Sequence, residues 1–326
     1  MSKTYRGKVR ALRGIDMRVG RGEIFGLLGP NGAGKSTLVK ILMTVIRPTT
    51  CAGHMLGEPV GRKETLRRVG YLPEHHRFPE YLTGAQVLDF YAALSAVGRR
   101  DRRARAAELL DLVGMTRWAG TRVRGYSKGM RQRIGIAQAL MNDPELVLLD
   151  EPTDGVDPVG RRDIRMMTQE LKRRGKTVLI NSHLLSELEM VCDRVAILVQ
   201  GQVASQGTID SLTKHQERYE IEVAAEGATR LAGALAGMGE GTSRADGAGG
   251  PRLPTGEPVT VEGAVVRAAT TEARRVQPLI DALRRADVEI RSMRAMRPSL
   301  EDLFMQAVHD PTTGGELLPG AKDGAR

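Results

Sequence analysis

Gly29-Pro30-Asn31-Gly32-Ala33-Gly34-Lys35-Ser36-Thr37 lies between two apolar runs, Ile24 to Leu28 and Leu38 to Ile46. That order predicts a strand, a glycine turn and a helix start. Gly29, four intervening residues, Gly34, Lys35 and Ser36 have the spacing of a phosphate-binding P-loop. A polyphosphate must lie close against backbone N–H groups, so the loop needs residues that lack a Cβ and accept positive φ. The helix N-terminus behind the loop adds unpaired donors and partial positive charge. Lys35 supplies a full charge for the β- and γ-phosphates, and the Ser36 hydroxyl suits Mg²⁺. Candidate nucleotide contacts are therefore Gly29, Asn31, Gly32, Gly34, Lys35, Ser36 and Thr37. A glycine turn that merely caps a helix is the alternative, and the preceding strand argues against it.

Upstream, Val9 to Val19 partly alternates and predicts a strand pair before the turn Gly20-Arg21-Gly22. Downstream, the P-loop helix is expected to run to about Ile46, because Pro48 disfavours helix at Arg47. Val69 to Pro73 reads as a strand with Glu74 beyond its end. Helices are expected from Thr83, a good N-cap, over Arg102 to Val113, and from Ser127 to just before Asp143. Glu145 to Glu151 has four consecutive apolar residues followed by Asp150 and Glu151. This looks like a buried parallel strand that delivers acids to its C-terminal edge. A helix from Pro158, a strand Thr177 to Asn181 ending at Ser182-His183, a helix Leu184 to Cys192 and a strand Val195 to Val199 follow. Strands alternating with helices predict a mostly parallel sheet.

Composition changes after about Leu212. Strands at Tyr219 to Ala224, Val259 to Ala268 and Val288 to Met296, with helices at Thr271 to Ala286 and Ser299 to Val308, predict a small α+β appendix. A flexible loop is expected over Gly237 to Pro258 and a disordered tail over 310–326.

With 326 residues and 41% hydrophobic content, the chain has material for one large or two medium domains. Cys51 and Cys192 form no C-x-x-C pair and read as small apolar residues in a reducing compartment. No signal-peptide order occurs, and no apolar run approaches the ~20 residues that a spanning helix needs. A net charge of +10 is compatible with nucleic acid, anionic lipid or an acidic partner. Aromatics at 3% are poor material for base stacking. The basic run Arg99, Arg100, Arg102, Arg103 and Arg105 reads first as a solvated helix end.

Three further stretches select a family: Tyr126-Ser127-Lys128-Gly129-Met130-Arg131-Gln132-Arg133, Leu146 to Pro158, and His183. Together with the P-loop, in this order over residues 5–210, they resemble the ATP-binding subunit of ATP-binding-cassette (ABC) transporters. The implied fold is an α/β P-loop NTPase core over 1–212, with a helical subdomain at about 75–142 and a small C-terminal α+β domain over 213–309. The resemblance implies a Mg²⁺-dependent ATPase. In it Asp150 and Ser36 hold Mg²⁺, Glu151 is the general base, and His183 contacts the γ-phosphate. Ser127 and Gly129 are similar to the signature motif that caps the ATP of another protomer, and Asp157 to the aspartate that couples the two sites. A head-to-tail homodimer around two ATP molecules follows from that. Tyr5 stands where the family places an adenine-stacking aromatic; an ordinary strand tyrosine is the other reading.

The chain also departs from the family pattern. Lys128 and Met130 replace a glycine and a glutamine of the signature, in a form that resembles ABC-2 type exporters with a separate membrane permease. Glu74 occupies a position usually held by a metal-binding glutamine, and the family's first strand is expected to be missing before Tyr5. The implied location is the cytoplasmic face of the cell membrane, peripheral through the permease, with no nucleic acid partner. A soluble ABC ATPase acting on nucleic acid or ribosomes is the alternative.

Overall fold

The computed structural model describes residues 1–6, 9–213, 218–224, 230, 231, 233, 235, 251–296 and 299–308. Its contacts divide into two units: Met1–Ile209 with the segment from Leu300, and Asp210–Ser299.

The first unit begins with an antiparallel pair, β1 (Ser2–Thr4) and β2 (Arg10–Arg13). Then come β3 (Ile24–Leu28) and α1 (Lys35–Leu42). A small hairpin, β4 (His54–Met55) and β5 (Glu58–Pro59), and a 3₁₀ turn over Lys63–Arg68 lead into β6 (Val69–Leu72). Three helices follow: α2 (Gly84–Leu94), α3 (Arg99–Leu112) and α4 (Lys128–Ala139). The chain returns through β7 (Leu146–Asp150), α5 (Pro158–Arg173), β8 (Thr177–Asn181), α6 (Leu185–Glu189), β9 (Arg194–Val199) and β10 (Gln202–Thr208).

The central sheet has the order β10-β9-β3-β8-β7-β6. Its strands β9 to β6 are parallel, and β10 is an antiparallel edge. Every residue of β3, β7 and β8 is buried, as parallel strands covered on both faces require. Leu38 and Ile41 of α1 pack with Phe25, Leu27, Leu148, Leu179 and Leu198 in one core, so the helix behind the P-loop is clamped to the sheet. The register sets Asp150 beside Asn181, and Asn181 beside Leu27. The C-terminal ends of β3, β7 and β8 therefore converge on one edge.

In the helical part, Thr83 caps α2 with a complete capping box to Gln86. Arg105 of the basic run meets Glu108 and Asp143, each at 2.9 Å, and Arg102 donates to the Val97 carbonyl at 2.7 Å. Arg99, Arg100 and Arg103 are exposed.

The second unit has an antiparallel sheet of order β12-β13-β11-β14, with β11 (Arg218–Val223), β12 (Val259–Glu262), β13 (Val265–Ala268) and β14 (Ile290–Met296). The helix α8 (Ala273–Arg285) packs Val276, Leu279 and Leu283 onto Ile221, Val223 and Val266. A short helix, α7 (Ile209–Thr213), precedes this sheet.

Several elements differ from the sequence reading. A strand, β1, does precede Tyr5, whereas the pair expected over 9–19 contains only Arg10–Arg13. The P-loop helix stops at Leu42 rather than Ile46; Thr44 turns to φ +57 before Pro48 can act. The strand expected over Val259 to Ala268 is a hairpin that turns at Gly263, φ +60, and β10 was not anticipated. The last helix, α9 (Leu300–Val308), expected within the C-terminal domain, instead packs on α6 and β9 with Leu300 fully buried. Its apolar face finds the larger core. Most of the expected flexible loop and the tail over 310–326 lie outside the described residues. Among the described residues, no helix is long and apolar enough to cross a membrane.

Gly70 in β6 lies directly against the C-terminal end of α4. A Cβ there would lie 2.0 Å from the Ala139 carbonyl oxygen and 2.9 Å from the Pro144 ring. Backbone cannot retreat as a side chain can, so Gly70→Ala should destabilise the protein by about 2–3 kcal/mol. Urea unfolding checks this, and an unchanged midpoint refutes the close approach.

Candidate active site

The P-loop leaves β3 at Leu28 and enters α1 at Lys35. Gly34 is the N-cap, at φ +105, and Gly32 has φ +82. A Cβ on Gly34 would meet the Ala11 carbonyl oxygen at 2.6 Å and Leu12 Cδ2 at 2.7 Å. A Cβ on Gly29 would lie 2.5 Å from the Leu198 carbonyl oxygen. Neighbouring strands thus press on the loop from behind, while Asn31, Gly32 and Ser36 face solvent at its rim. Lys35 is buried, and its ammonium donates to the Gly29 carbonyl at 2.5 Å and to the Pro30 carbonyl at 3.3 Å. Burial lowers its pKa, against the opposing pull of Glu151, Asp150 and Glu74. Tyr5 Oη lies 3.4 Å from Thr37 Oγ1, with the Lys3 ammonium 5.1 Å over its ring. The structure therefore sets Tyr5 at the mouth of the P-loop helix.

At the end of β7, Asp150 is buried and accepts a short hydrogen bond from Asn181 Nδ2. Burial raises its pKa; the Asn181 bond opposes this, and the charges of Glu74 and Glu151 add to it. Glu151 follows at φ +49, a left-handed conformation costing on the order of 1 kcal/mol for a non-glycine residue. Its N–H donates to the Asn181 carbonyl at 2.8 Å. Its carboxylate is 2.8 Å from His183 Nδ1 and accepts from Ser182 Oγ at 3.2 Å. Asp150, Glu151, His183 and Lys35 are thus brought together at one sheet edge. Glu74, beyond β6, belongs to the same electrostatic cluster and lies 3.7 Å from His75.

Asn181 and Ser182 were not singled out from the sequence. The available signal was their position: polar residues ending an apolar strand, with Asn181 in register beside Asp150.

Donor chemistry tests whether a divalent ion fits. Three carboxylates face a single buried lysine, so the cluster has excess negative charge. Among the described residues no three His, Cys, Asp or Glu form a closed metal cage. The excess of carboxylate oxygens suits Mg²⁺, which takes one or two carboxylates and completes its shell with water and phosphate.

Ser127 and Asp157 lie elsewhere. Ser127 caps α4, accepting from the Met130 N–H at 3.2 Å, and Asp157 caps α5, accepting from the Gly160 N–H at 2.7 Å. Both line a pocket of about 260 Å³ with Gly129, Met130, Val156 and Gly160. No P-loop residue lines it.

Comparison with known proteins gives one answer throughout. The ABC transporter family matches residues 12–154. An uncharacterised ABC transporter ATP-binding protein of Synechocystis is 39% identical over 95% of this chain and 83% of its own length. The daunorubicin resistance ATP-binding protein DrrA3 of Streptomyces coeruleorubidus is 34% identical, with 93% of each chain covered. Among solved structures, the ATP-binding subunit of an ABC transporter superposes with a TM-score of 0.59 at 30% identity, covering 65% of this chain and 89% of that one. The dimeric post-hydrolysis cassette MJ0796, bound to ADP and Pi, gives a TM-score of 0.58 at 26% identity, covering 64% and 95%.

Gly34→Ala puts a methyl group against the Ala11 carbonyl and strains a positive φ. Strain of ~1–3 kcal/mol at the loop should weaken nucleotide binding by roughly tenfold or more. Titration with a fluorescent ATP analogue reads this; undiminished affinity would remove Gly34 from the binding surface.

Proposed function

The chain belongs to the family of ABC transporter ATP-binding proteins, and on that premise we propose that it hydrolyses ATP in a head-to-tail dimer to drive export through a separate ABC-2 type membrane permease. The observation that carries the dimer is the division of the site. Lys35, Asp150, Glu151 and His183 gather at the P-loop, while Ser127, Gly129 and Asp157 line a separate pocket. One chain thus carries two half-sites, and two chains in head-to-tail order complete both. Export is supported by relatives named for daunorubicin and linearmycin resistance. Those names also do not favour action on nucleic acid or ribosomes.

In this reading the ATP triphosphate lies along Gly29 to Thr37. Lys35, whose ammonium rests on two loop carbonyls, turns to the β- and γ-phosphates. Tyr5 stacks on the adenine, supported by its place beside Thr37. Ser36, Asp150 and Glu74 would hold Mg²⁺, which when bound supplies charge neutralisation at the phosphates. Glu151 takes a proton from the attacking water. Its left-handed backbone and the Ser182 hydroxyl hold the carboxylate in place. His183 leaves Glu151 for the γ-phosphate when ATP enters. Ser127 and Gly129, at the N-terminus of α4, cap the γ-phosphate of the other protomer's ATP.

Movement reaches the permease through 75–90. The His76 ring lies 3.3 Å from both the Pro73 and Arg131 carbonyls, tying this segment to α4, and Tyr81 and Phe90 are exposed on it. The chain would sit on the cytoplasmic face of the membrane, peripheral through that permease.

Purified protein should show Mg²⁺-dependent ATPase activity that Lys35→Ala abolishes. Glu151→Gln should bind ATP, slow turnover at least ~100-fold and accumulate as a dimer; ordinary turnover would remove Glu151 from the role of base. Replacing Glu74 by Gln removes one negative charge from the metal site, so the Mg²⁺ concentration for half-maximal activity should rise several-fold. An unshifted Mg²⁺ titration would show that the charge of Glu74 does not contribute to metal binding. Isolation of a polytopic membrane protein with the chain tests the permease.

A further inference from the structure

Lys128 follows Ser127 directly, at the first position of α4. Its ammonium donates to Asp154 Oδ2 at 2.8 Å. The stem passes over Gly155 so closely that a Cβ there would lie 2.1 Å from Nζ and 2.9 Å from Cδ. Gly155 is also at φ +61, so this glycine is what gives the lysine its course. Asp154 sits three residues after Glu151, and its N–H donates to the Glu151 carbonyl at 3.2 Å. The Lys128 hydrogen bond holds the Asp154 carboxyl below the usual range, and His183 and His75 contribute to this. Asp154 is therefore bonded to the signature lysine through its side chain and to the Glu151 carbonyl through its backbone.

Both partners are about half exposed, with side-chain accessibilities of 59% and 49%. An ion pair this wet is weak, typically below ~1 kcal/mol, so its ammonium can change partner at little cost. A triphosphate carries more charge than a carboxylate and likewise accepts charge-assisted hydrogen bonds. Ser127 and Gly129, on either side of Lys128, line the pocket described above.

We propose that Lys128 binds the γ-phosphate of the ATP held on the P-loop of a second copy of the chain, exchanging Asp154 for phosphate as the two copies close. This rests on the dimer reading above. Lys128 is then a phosphate ligand where a glycine would contribute only backbone. Asp154 competes with the phosphate for the ammonium, which raises the ATP concentration needed for closure. Once released, Asp154 stays tied through its backbone N–H to the Glu151 carbonyl. Arrival of ATP at one half-site is thereby felt beside the base of the other.

The test is ATP-dependent dimerisation of the full chain carrying Glu151→Gln, followed by sedimentation over a range of ATP concentrations. Adding Lys128→Gln, which keeps the stem over Gly155, should raise the half-maximal ATP concentration roughly tenfold, the loss of one charge-assisted bond. Adding Asp154→Asn should lower it, because the competitor is gone. The double variant should behave like Lys128→Gln. If both substitutions raise the concentration alike, the pair is only a strut within one protomer and the proposal is wrong; no effect of Lys128→Gln overturns it equally. Should Lys128→Gln lower the melting temperature, Asp154→Asn decides by its sign alone. Absence of any ATP-dependent dimer with Glu151→Gln by itself overturns the dimer reading, and this proposal with it.

Discussion

At the P-loop, backbone of neighbouring strands comes so close that no space is left for side chains on Gly29 and Gly34. Gly29 abuts the Leu198 carbonyl of β9, and Gly34 abuts the Ala11 carbonyl of β2. Both strands hold the loop from the side away from solvent. The clamp on α1, through Leu38 and Ile41, fixes the helix that follows. Moving any of these elements would displace the backbone N–H groups of the loop, so the sheet order and the loop geometry are a single constraint.

Electrostatics completes what the packing begins. Asp150 and Glu151 are buried at a strand edge with Glu74 nearby, and Lys35 is the ammonium set against them. Burial disfavours the charged forms of Asp150 and Lys35, raising the one and lowering the other. Asn181 offsets part of the cost by donating to Asp150, and Ser182 and His183 do the same for Glu151. The site is a set of charges held away from their natural solvent, with Lys35 as the ammonium set to meet an anion.

The outline was legible in the sequence because buried parallel strands are continuous apolar runs and the P-loop has a rigid spacing. Ile24 to Leu28, Leu146 to Asp150 and Thr177 to Asn181 were all readable for this reason. Exposed or short pieces were not. The alternation across 9–19 looked like a strand pair, but beyond Arg13 the pairing shrinks to Ile15, which exchanges backbone hydrogen bonds with Met1. The hairpin at Gly263 was concealed because β-branched residues flank both sides of its turn.

By itself the sequence determined which chemical groups are present and their order along the chain: the P-loop, the acids after β7, the histidine after β8 and the serine before α4. Tertiary structure decided which of them meet. Parallel register brought Asp150 beside Asn181, and the turn after β8 carried His183 to Glu151. It left Ser127, Gly129 and Asp157 in another pocket. It also joined Lys128 to Asp154 across 26 positions of chain, a contact that no local spacing encodes. Pairings of this kind depend on how helices close over a sheet, which is settled by the packing of the whole core.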